Sequence, residues 1–431
     1  MKHLIVVLVV ILLFVSISCK KDKKLITKNL NTVLIGEIKD RPTDTLLLLT
    51  TSGDARSDVL AKIVVKNDSF NYTFFPEQIE AYQLVYQDEH DKGSWRPITF
   101  FAERDTIEFK IHDSEFFDDN EIKGLELNKE YKNYNAIMVR NFYSRYDSIS
   151  QKYKSYDYKD FQSASYKDLM EKLRLAKTQE EKVPLYQLQK KLKEQGLDRS
   201  ELGKIQDLEY KTLRTEMINY KYNYILKNLS LVSYELLLED IRSFEYAGVE
   251  KEKVINAFNV LQKKFPEHKY TELGKNLLNG IFQLQPGGQY VNFIAPDIKG
   301  VNVELKSILK ENDIVLLDLW ATWCGPCIAK TRLARPIYEK YKDQGFTILG
   351  VAGERKNLNN YKAFMAKEQW AWQQLIELDK QNKIWEKYNV MNGGGGMFLI
   401  ASSGEILAID PSAEELEAIL SLRLNSNKVK L

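Results

Sequence analysis

Trp320-Ala321-Thr322-Trp323-Cys324-Gly325-Pro326-Cys327 decides how this chain is read. The segment follows an apolar run, Ile314 to Leu319, and leads into helix-compatible sequence as far as about Asp343. A buried strand feeding a helix puts the cysteine pair at the helix N-terminus, where unpaired N–H groups and the helix dipole favour negative charge. That position favours the thiolate of Cys324. Two intervening residues bring Cys327 back within one turn, so the two sulfurs can close a short disulfide. Pro326 falls in the first helical turn, where a missing N–H costs little. The chemistry expected is attack by Cys324 on a substrate disulfide, a mixed disulfide, and resolution by Cys327. A close cysteine pair is also half of a zinc site, but zinc takes four ligands. No second pair exists, and His3, His90, His112 and His268 are all distant from the motif in sequence.

The third cysteine, Cys19, belongs to a different feature. Met1-Lys2-His3 is a short positive start, Leu4 to Val15 is apolar, and Ser16-Ile17-Ser18 precedes the cysteine. An apolar run this short fits a secretory signal better than a membrane span. The residues ending at Cys19 resemble a bacterial lipobox, with Ser16 where leucine is usual. That resemblance implies a signal peptide over 1–18, a lipidated Cys19 and a lysine-rich tether over 19–28. The alternative is an uncleaved anchor or a plain signal. An exported chain that keeps a single close cysteine pair keeps it for reactivity.

At 431 residues several cores are expected, and the composition is that of a folded protein. The 62 basic and 60 acidic side chains nearly cancel to a net charge of +2, so nothing marks a nucleic-acid partner. Short apolar runs separated by turn formers such as Asp40-Arg41-Pro42 and Lys66-Asn67-Asp68 predict a β-sandwich-like domain over 29–123. From 124 to 285 the pattern is helical and highly charged. Thr178 to Glu181 reads as a capping box, and helices are expected over Ser233 to Phe244 and Lys253 to Phe265, ahead of Pro266. The tyrosines between Tyr143 and Tyr158 are expected to pack between helices. Strands and helices alternate from 286 to 431, as in an α/β domain. The fold class expected is multidomain α+β.

Val315 to Cys327 resembles the active-site segment of thioredoxin. Val291-Asn292-Phe293-Ile294-Ala295-Pro296-Asp297 and Gly345 to Val351 resemble the extracytoplasmic TlpA/ResA-like branch. The 29–123 stretch resembles the β-domain of unknown function that often precedes such modules. The resemblance implies a thioredoxin-like fold, disulfide reductase activity on protein disulfides, and electrons from a membrane dithiol donor. Asp318, six residues before Cys324, matches the family's buried acid. Desolvated there, it is expected to hold its proton tightly and to exchange it with Cys327. An acid that reaches water at the strand end is the alternative. Trp320 and Trp323 resemble the family's aromatic shield, although Trp320 also reads as core. Trp323, Gly325 and Pro326 are placed on the substrate face.

Three positions depart from the family. Lys330 stands where a glutamate is usual, and Arg332 where a proline is usual, with Pro336 displaced downstream. The cis-proline facing the dithiol is missing from Met391-Asn392-Gly393-Gly394-Gly395-Gly396-Met397; Gly395 or Gly394 fills its slot. A cis peptide before a non-proline residue costs about 2.5–4 kcal/mol, so this loop is expected to be trans and loosely organised for substrate pairing. Proline at Gly395 or Gly394 is then expected to improve turnover. The function expected is a periplasmic, lipid-anchored thiol-disulfide oxidoreductase that reduces protein disulfides with no cofactor or metal. A disulfide-forming oxidase, a thiol peroxidase and a binding lipoprotein with a degenerate site are the alternatives. Peroxidase is disfavoured because Leu317 to Trp323 contains no proline.

Overall fold

A computed structural model of the protein describes residues 31–53, 55, 58–390 and 395–425. Cys19 and the whole 1–28 segment lie outside the described residues. The N-terminal part is two facing four-stranded sheets. Strands β1 (Thr32–Ile38), β4 (Ser69–Phe74), β7 (Asp105–Ile111) and β8 (Glu121–Lys123) form one, in the order β4-β1-β7-β8. Strands β2 (Thr45–Thr50), β3 (Val59–Val64), β5 (Ala81–Tyr86) and β6 (Ile98–Phe101) form the other, in the order β3-β2-β5-β6. Leu34, Phe70, Ile107 and Phe109 from the first sheet meet Leu46, Leu48, Leu84 and Phe100 from the second in one core. Side chains alternate across a strand, so Leu47 and Leu49 of β2 face the other way and pack beneath Trp95 with Val85. A β-sandwich results.

The helical part begins with α1 (Glu126–Met138) and continues through α2 (Ser144–Tyr153), α3 (Ala164–Leu175) and α4 (Gln179–Glu194). It closes with α5 (Glu201–Lys227), α6 (Leu231–Arg242), α7 (Lys251–Lys264) and α8 (Lys269–Phe282). The capping box at α4 forms: Thr178 Oγ1 accepts from the Glu181 N–H at 3.2 Å, and Glu181 accepts from the Thr178 N–H at 3.3 Å. Helix α6 is buried along nearly its whole length, through Val232, Leu236, Leu237 and Ile241. The helices close one edge of the sandwich. Asn128 donates to Phe101 O at 2.8 Å and accepts from Phe101 N at 3.0 Å, and Ala81 N donates to Tyr270 Oη at 2.7 Å. The bonds to Phe101 occupy backbone groups of the edge strand β6 that an open sheet edge would leave unpaired, and the bond from Ala81 ties the start of β5 to α8. The tyrosine expectation holds only in part. Tyr153 is buried, but Tyr143, Tyr146, Tyr156 and Tyr158 are exposed. Tyr146 packs between α2 and α5 against Tyr210, with ring centroids 5.1 Å apart, but at the surface and outside any core.

The C-terminal part is a five-stranded sheet flanked by a two-stranded one, β9 (Ile294–Pro296) and β10 (Asn302–Glu304). Strands β11 (Ile314–Trp320), β12 (Phe346–Glu354) and β13 (Gln374–Leu378) run parallel. Strands β14 (Gly396–Ala401) and β15 (Ile406–Ile409) join antiparallel, giving the order β13-β12-β11-β14-β15. Helices α9 (Gly325–Tyr341), α10 (Asn359–Glu368) and α11 (Ala413–Asn425) complete the unit. All seven residues of the central strand β11 are buried. Ile314, Leu316 and Trp320 share a core with α9, while Val315, Leu317 and Leu319 serve the core on the opposite face. A strand covered on both sides reads as an unbroken apolar run. Multidomain α+β architecture follows, with a strand-rich front, a helical middle and a C-terminal thioredoxin-like unit.

Both preceding parts touch the C-terminal unit. Lys380 pairs with Asp58 of the sandwich at 2.6 Å, and Lys383 pairs with Glu272 of α8 at 2.7 Å. Gly280 of α8 faces Asn389, and a Cβ at that glycine would lie 2.3 Å from Asn389 Cβ. Gly280→Ala therefore sets a helix-propensity gain of about 1 kcal/mol against overpacking of about 1–3 kcal/mol. We expect net destabilisation, seen as a lower urea midpoint. A higher midpoint would mean that α8 does not abut Asn389 this closely.

Candidate active site

Strand β11 delivers its last residues to the start of α9, and Cys324 is the N-cap of that helix. Its sulfur accepts the Cys327 N–H at 3.3 Å, doing the work of a capping side chain. The two sulfurs are joined in a disulfide with Cα atoms 5.4 Å apart. Pro326 lies in the first turn of α9, where its missing N–H leaves no gap in the helix. Cys324 is 6% exposed, whereas Cys327 is half-buried. Gly325 and Pro326 are exposed, and a Cβ at Gly325 would meet nothing within 4 Å, so the surface beside the disulfide is open there.

The loop before the dithiol is tied from β12. Glu354, buried at the end of that strand, accepts from the Thr322 N–H at 2.8 Å and from Thr322 Oγ1 at 2.9 Å. Trp323 is half exposed; its indole N–H donates to Gly353 O at 3.1 Å, and the Arg355 guanidinium lies 4.8 Å over its ring. Trp320 is fully buried and donates to Gln374 Oε1 at 3.0 Å, so of its two readings the structure gives core packing.

Asp318 alternates with Leu316 and Trp320 onto the α9 side of the sheet. It is 1% exposed, in the middle of the sheet, opposite Gly350 on one side and Met397 on the other. It is therefore not an acid at a strand end open to bulk water. Thr331 Oγ1 donates to Asp318 Oδ2 at 2.6 Å and lies 3.0 Å from Cys327 O, so one hydroxyl joins the carboxyl to the cysteine's own turn. Burial pushes the Asp318 carboxyl up to about 7, against the opposing hydrogen bond from Thr331 and charge of Lys330; Asp410 pushes it the same way as burial. A carboxyl that changes state near neutral pH is matched to proton exchange with a thiol.

Lys330 pairs with Asp410 at 2.9 Å, and Arg332 pairs with Glu368 on α10 at 2.6 Å. Pro336 lies within α9. At the loop lacking the cis-proline, no cis peptide bond occurs among the described residues. Gly394 lies outside the described residues. At Gly395 the expected benefit of proline is overturned: a Cβ would lie 1.9 Å from Leu319 O and 3.2 Å from Cys327 Sγ. The glycine is there because the end of β11 comes too close for any side chain. Glu354, Thr331 and Asp410 went unnoticed in the sequence. An acid closing the apolar run of β12 and a hydroxyl one turn after Cys327 were the available signals. Among the described residues no group of His, Cys, Asp and Glu could hold a metal ion, and no helix is long and apolar enough to cross a membrane.

Residues 286–409 match the AhpC/TSA family, and residues 32–131 match a domain of unknown function, DUF4369. The thiol-disulfide oxidoreductase ResA of Bacillus thuringiensis (strain Al Hakam) is 28% identical over 158 residues, spanning 34% of this chain and 86% of its own. ResA of Geobacillus kaustophilus (strain HTA426) is 30% identical over 128 residues, spanning 28% of this chain and 67% of its own. Among solved structures, the thioredoxin domain of a thiol-disulfide oxidoreductase from Bacteroides vulgatus is 26% identical; the match covers 33% of this chain and 100% of that domain, with a TM-score of 0.30. A dithiol at the start of a helix, on a mixed sheet with a buried acid behind it, defines a thioredoxin-fold redox enzyme. The chain belongs to the ResA/TlpA-like thiol-disulfide oxidoreductases.

The state of Asp318 has a thermodynamic consequence. The unfolded carboxyl ionises near pH 4, whereas the folded one keeps its proton to about pH 7. The folded protein thus binds more protons between those values, and stability falls as pH rises through roughly 4 to 7, then levels off. Asp318→Asn removes this loss. The oxidised variant should gain about 2–4 kcal/mol over the parent at pH 8 and little at pH 4, read from urea unfolding. An equal effect at both pH values would show that the carboxyl is not held protonated.

Proposed function

We propose that this protein reduces protein disulfides outside the cytoplasm through Cys324 and Cys327, held at the membrane by a lipid on Cys19. The observation that carries this reading is the buried Asp318 behind the disulfide, linked through Thr331 to the turn that bears Cys327. A carboxylate there disfavours further negative charge on the dithiol, and destabilising the dithiol form makes the pair a better reductant. Cys324 attacks the substrate disulfide, and one substrate sulfur leaves as thiolate and takes a proton from water. Cys327 then passes its proton to Asp318 and attacks Cys324, releasing the second thiolate and leaving the protein oxidised. Trp323, Gly325, Pro326 and Gly395 are the described residues assigned to receiving the substrate; Gly394, assigned with them from the sequence, lies outside the described residues. A membrane dithiol donor returns the protein to its reduced form. Export and anchoring rest on the apolar run before Cys19. The reaction itself needs no cofactor or metal.

The order of the cysteines is open to direct test. Helix position favours Cys324 as the attacking sulfur, whereas exposure alone would favour Cys327. Cys327→Ser should accumulate mixed disulfides with client proteins, resolved on non-reducing gels, and Cys324→Ser should accumulate none. Trapping by Cys324→Ser alone would reverse the assignment. No turnover of any protein disulfide by the reduced parent would refute the reductase reading itself.

A further inference from the structure

A small cavity of about 70 Å³ opens behind the dithiol, lined by Asp318, Cys327, Lys330, Gly395, Gly396 and Asp410, among others. Its inner end is Asp318, which is 1% exposed. Its outer end is the pair of Lys330 and Asp410, whose side chains are 50% and 44% exposed and bond at 2.9 Å. The cavity thus joins a buried acid, a cysteine and a surface ion pair. Its volume leaves room for water, which the Asp318 carboxyl at one end and the Lys330–Asp410 pair at the other can bind.

The pair is held in place from both sides. Lys330 projects from α9 one turn beyond Cys327, and Asp410 follows β15. Asp410 also accepts from the Met397 N–H at 3.1 Å and donates its own N–H to Met397 O at 2.7 Å. Met397 is the residue opposite Asp318 in the sheet, so the outer acid and the inner acid are registered through one β14 residue. Toward Asp318, helix α9 presents Cys327, Lys330 and Thr331; the turn after β15 presents Asp410; the strand neighbours opposite it, Gly350 and Met397, bring no charge.

We propose that Lys330 and Asp410 are positioning residues that act through Asp318: their opposed charges at one end of the cavity decide how readily Asp318 accepts the proton of Cys327. The inference rests on Asp318 being that acceptor. The balance is simple. Cys327 S–H loses its proton to the Asp318 carboxylate as the new S–S bond to Cys324 forms, the second substrate thiolate leaves, and Asp318 later returns the proton to water through the cavity. Lys330 favours the carboxylate form and Asp410 the carboxylic acid. As a pair they nearly cancel, so removing either alone should move Asp318 in opposite senses, and removing both should restore it.

The test is the pH at which Asp318 changes state, read by difference infrared spectroscopy on the oxidised protein against Asp318→Asn. Resolution of a pre-formed mixed disulfide is timed over the same pH range. Lys330→Met should raise the midpoint and Asp410→Asn should lower it, each by roughly half a pH unit or more. The double variant should return near the parent. The acid limb of the resolution rate should follow the same three shifts. Asparagine suits position 410 because the backbone there is left-handed, with φ of 47°. Midpoints unmoved, or moved in the same sense by both variants, would overturn the proposal. If Asp318→Asn itself leaves the pH profile of resolution unchanged, then the acceptor assignment is what fails, and the pair falls with it.

Discussion

A cysteine sulfur closes the helix that carries the second cysteine, and the redox site depends on that contact. Cys324 Sγ accepts the Cys327 N–H, so the N-terminus of α9 is capped by the sulfur proposed to carry negative charge during exchange. The geometry holds because the preceding strand cannot move. Every residue of β11 is buried, and hydrogen bonds to β12 and β14 fix it on both sides. Glu354 then anchors the short loop between strand and helix through Thr322. The result is a dithiol whose position is set by sheet packing and only finished by the loop.

Behind that dithiol the protein keeps an acid where an apolar side chain would pack more cheaply. A buried carboxyl costs stability unless it is protonated or well bonded. Among the described residues Asp318 takes a side-chain hydrogen bond from Thr331, and it lines a cavity that ends at Lys330 and Asp410. Stability has thus been spent on a group whose state changes near neutral pH, as expected where function overrides packing. The front and middle parts of the chain come close to the same unit. Asp58 of the sandwich meets Lys380, and α8 packs against Asn389, a few residues before Gly395.

What the sequence made legible was local. The dithiol, the helix it opens and the apolar strand before it are neighbours in the chain, and their physics is read from spacing. The capping box at Thr178 and Glu181 was legible for the same reason, and so was the odd acid in an apolar run, Asp318. Contacts made by folding were not legible. Glu354 reaches Thr322 across 32 residues and Asp410 reaches Lys330 across 80, and no local pattern announces either pairing. The tyrosines between Tyr143 and Tyr158 misled in part: Tyr153 is buried, but Tyr146 packs against Tyr210 at the surface, where an aromatic ring usually marks a core. At Gly395 the missing proline was visible in the sequence. Its cause, the Leu319 carbonyl lying where a side chain would start, appears only when β11 and β14 are brought together.

Whether the dithiol runs as a reductant or an oxidant is set by its reduction potential. The reduction potential of the Cys324–Cys327 pair, measured by equilibration with glutathione or dithiothreitol at pH 7, decides it. A reductase with a carboxylate beneath its dithiol should give a value near that of thioredoxin, roughly −270 mV. A value near that of a strong oxidant, about −120 mV, would mean that the dithiol form is the favoured one and would contradict the reading of Asp318 and of the reaction it serves.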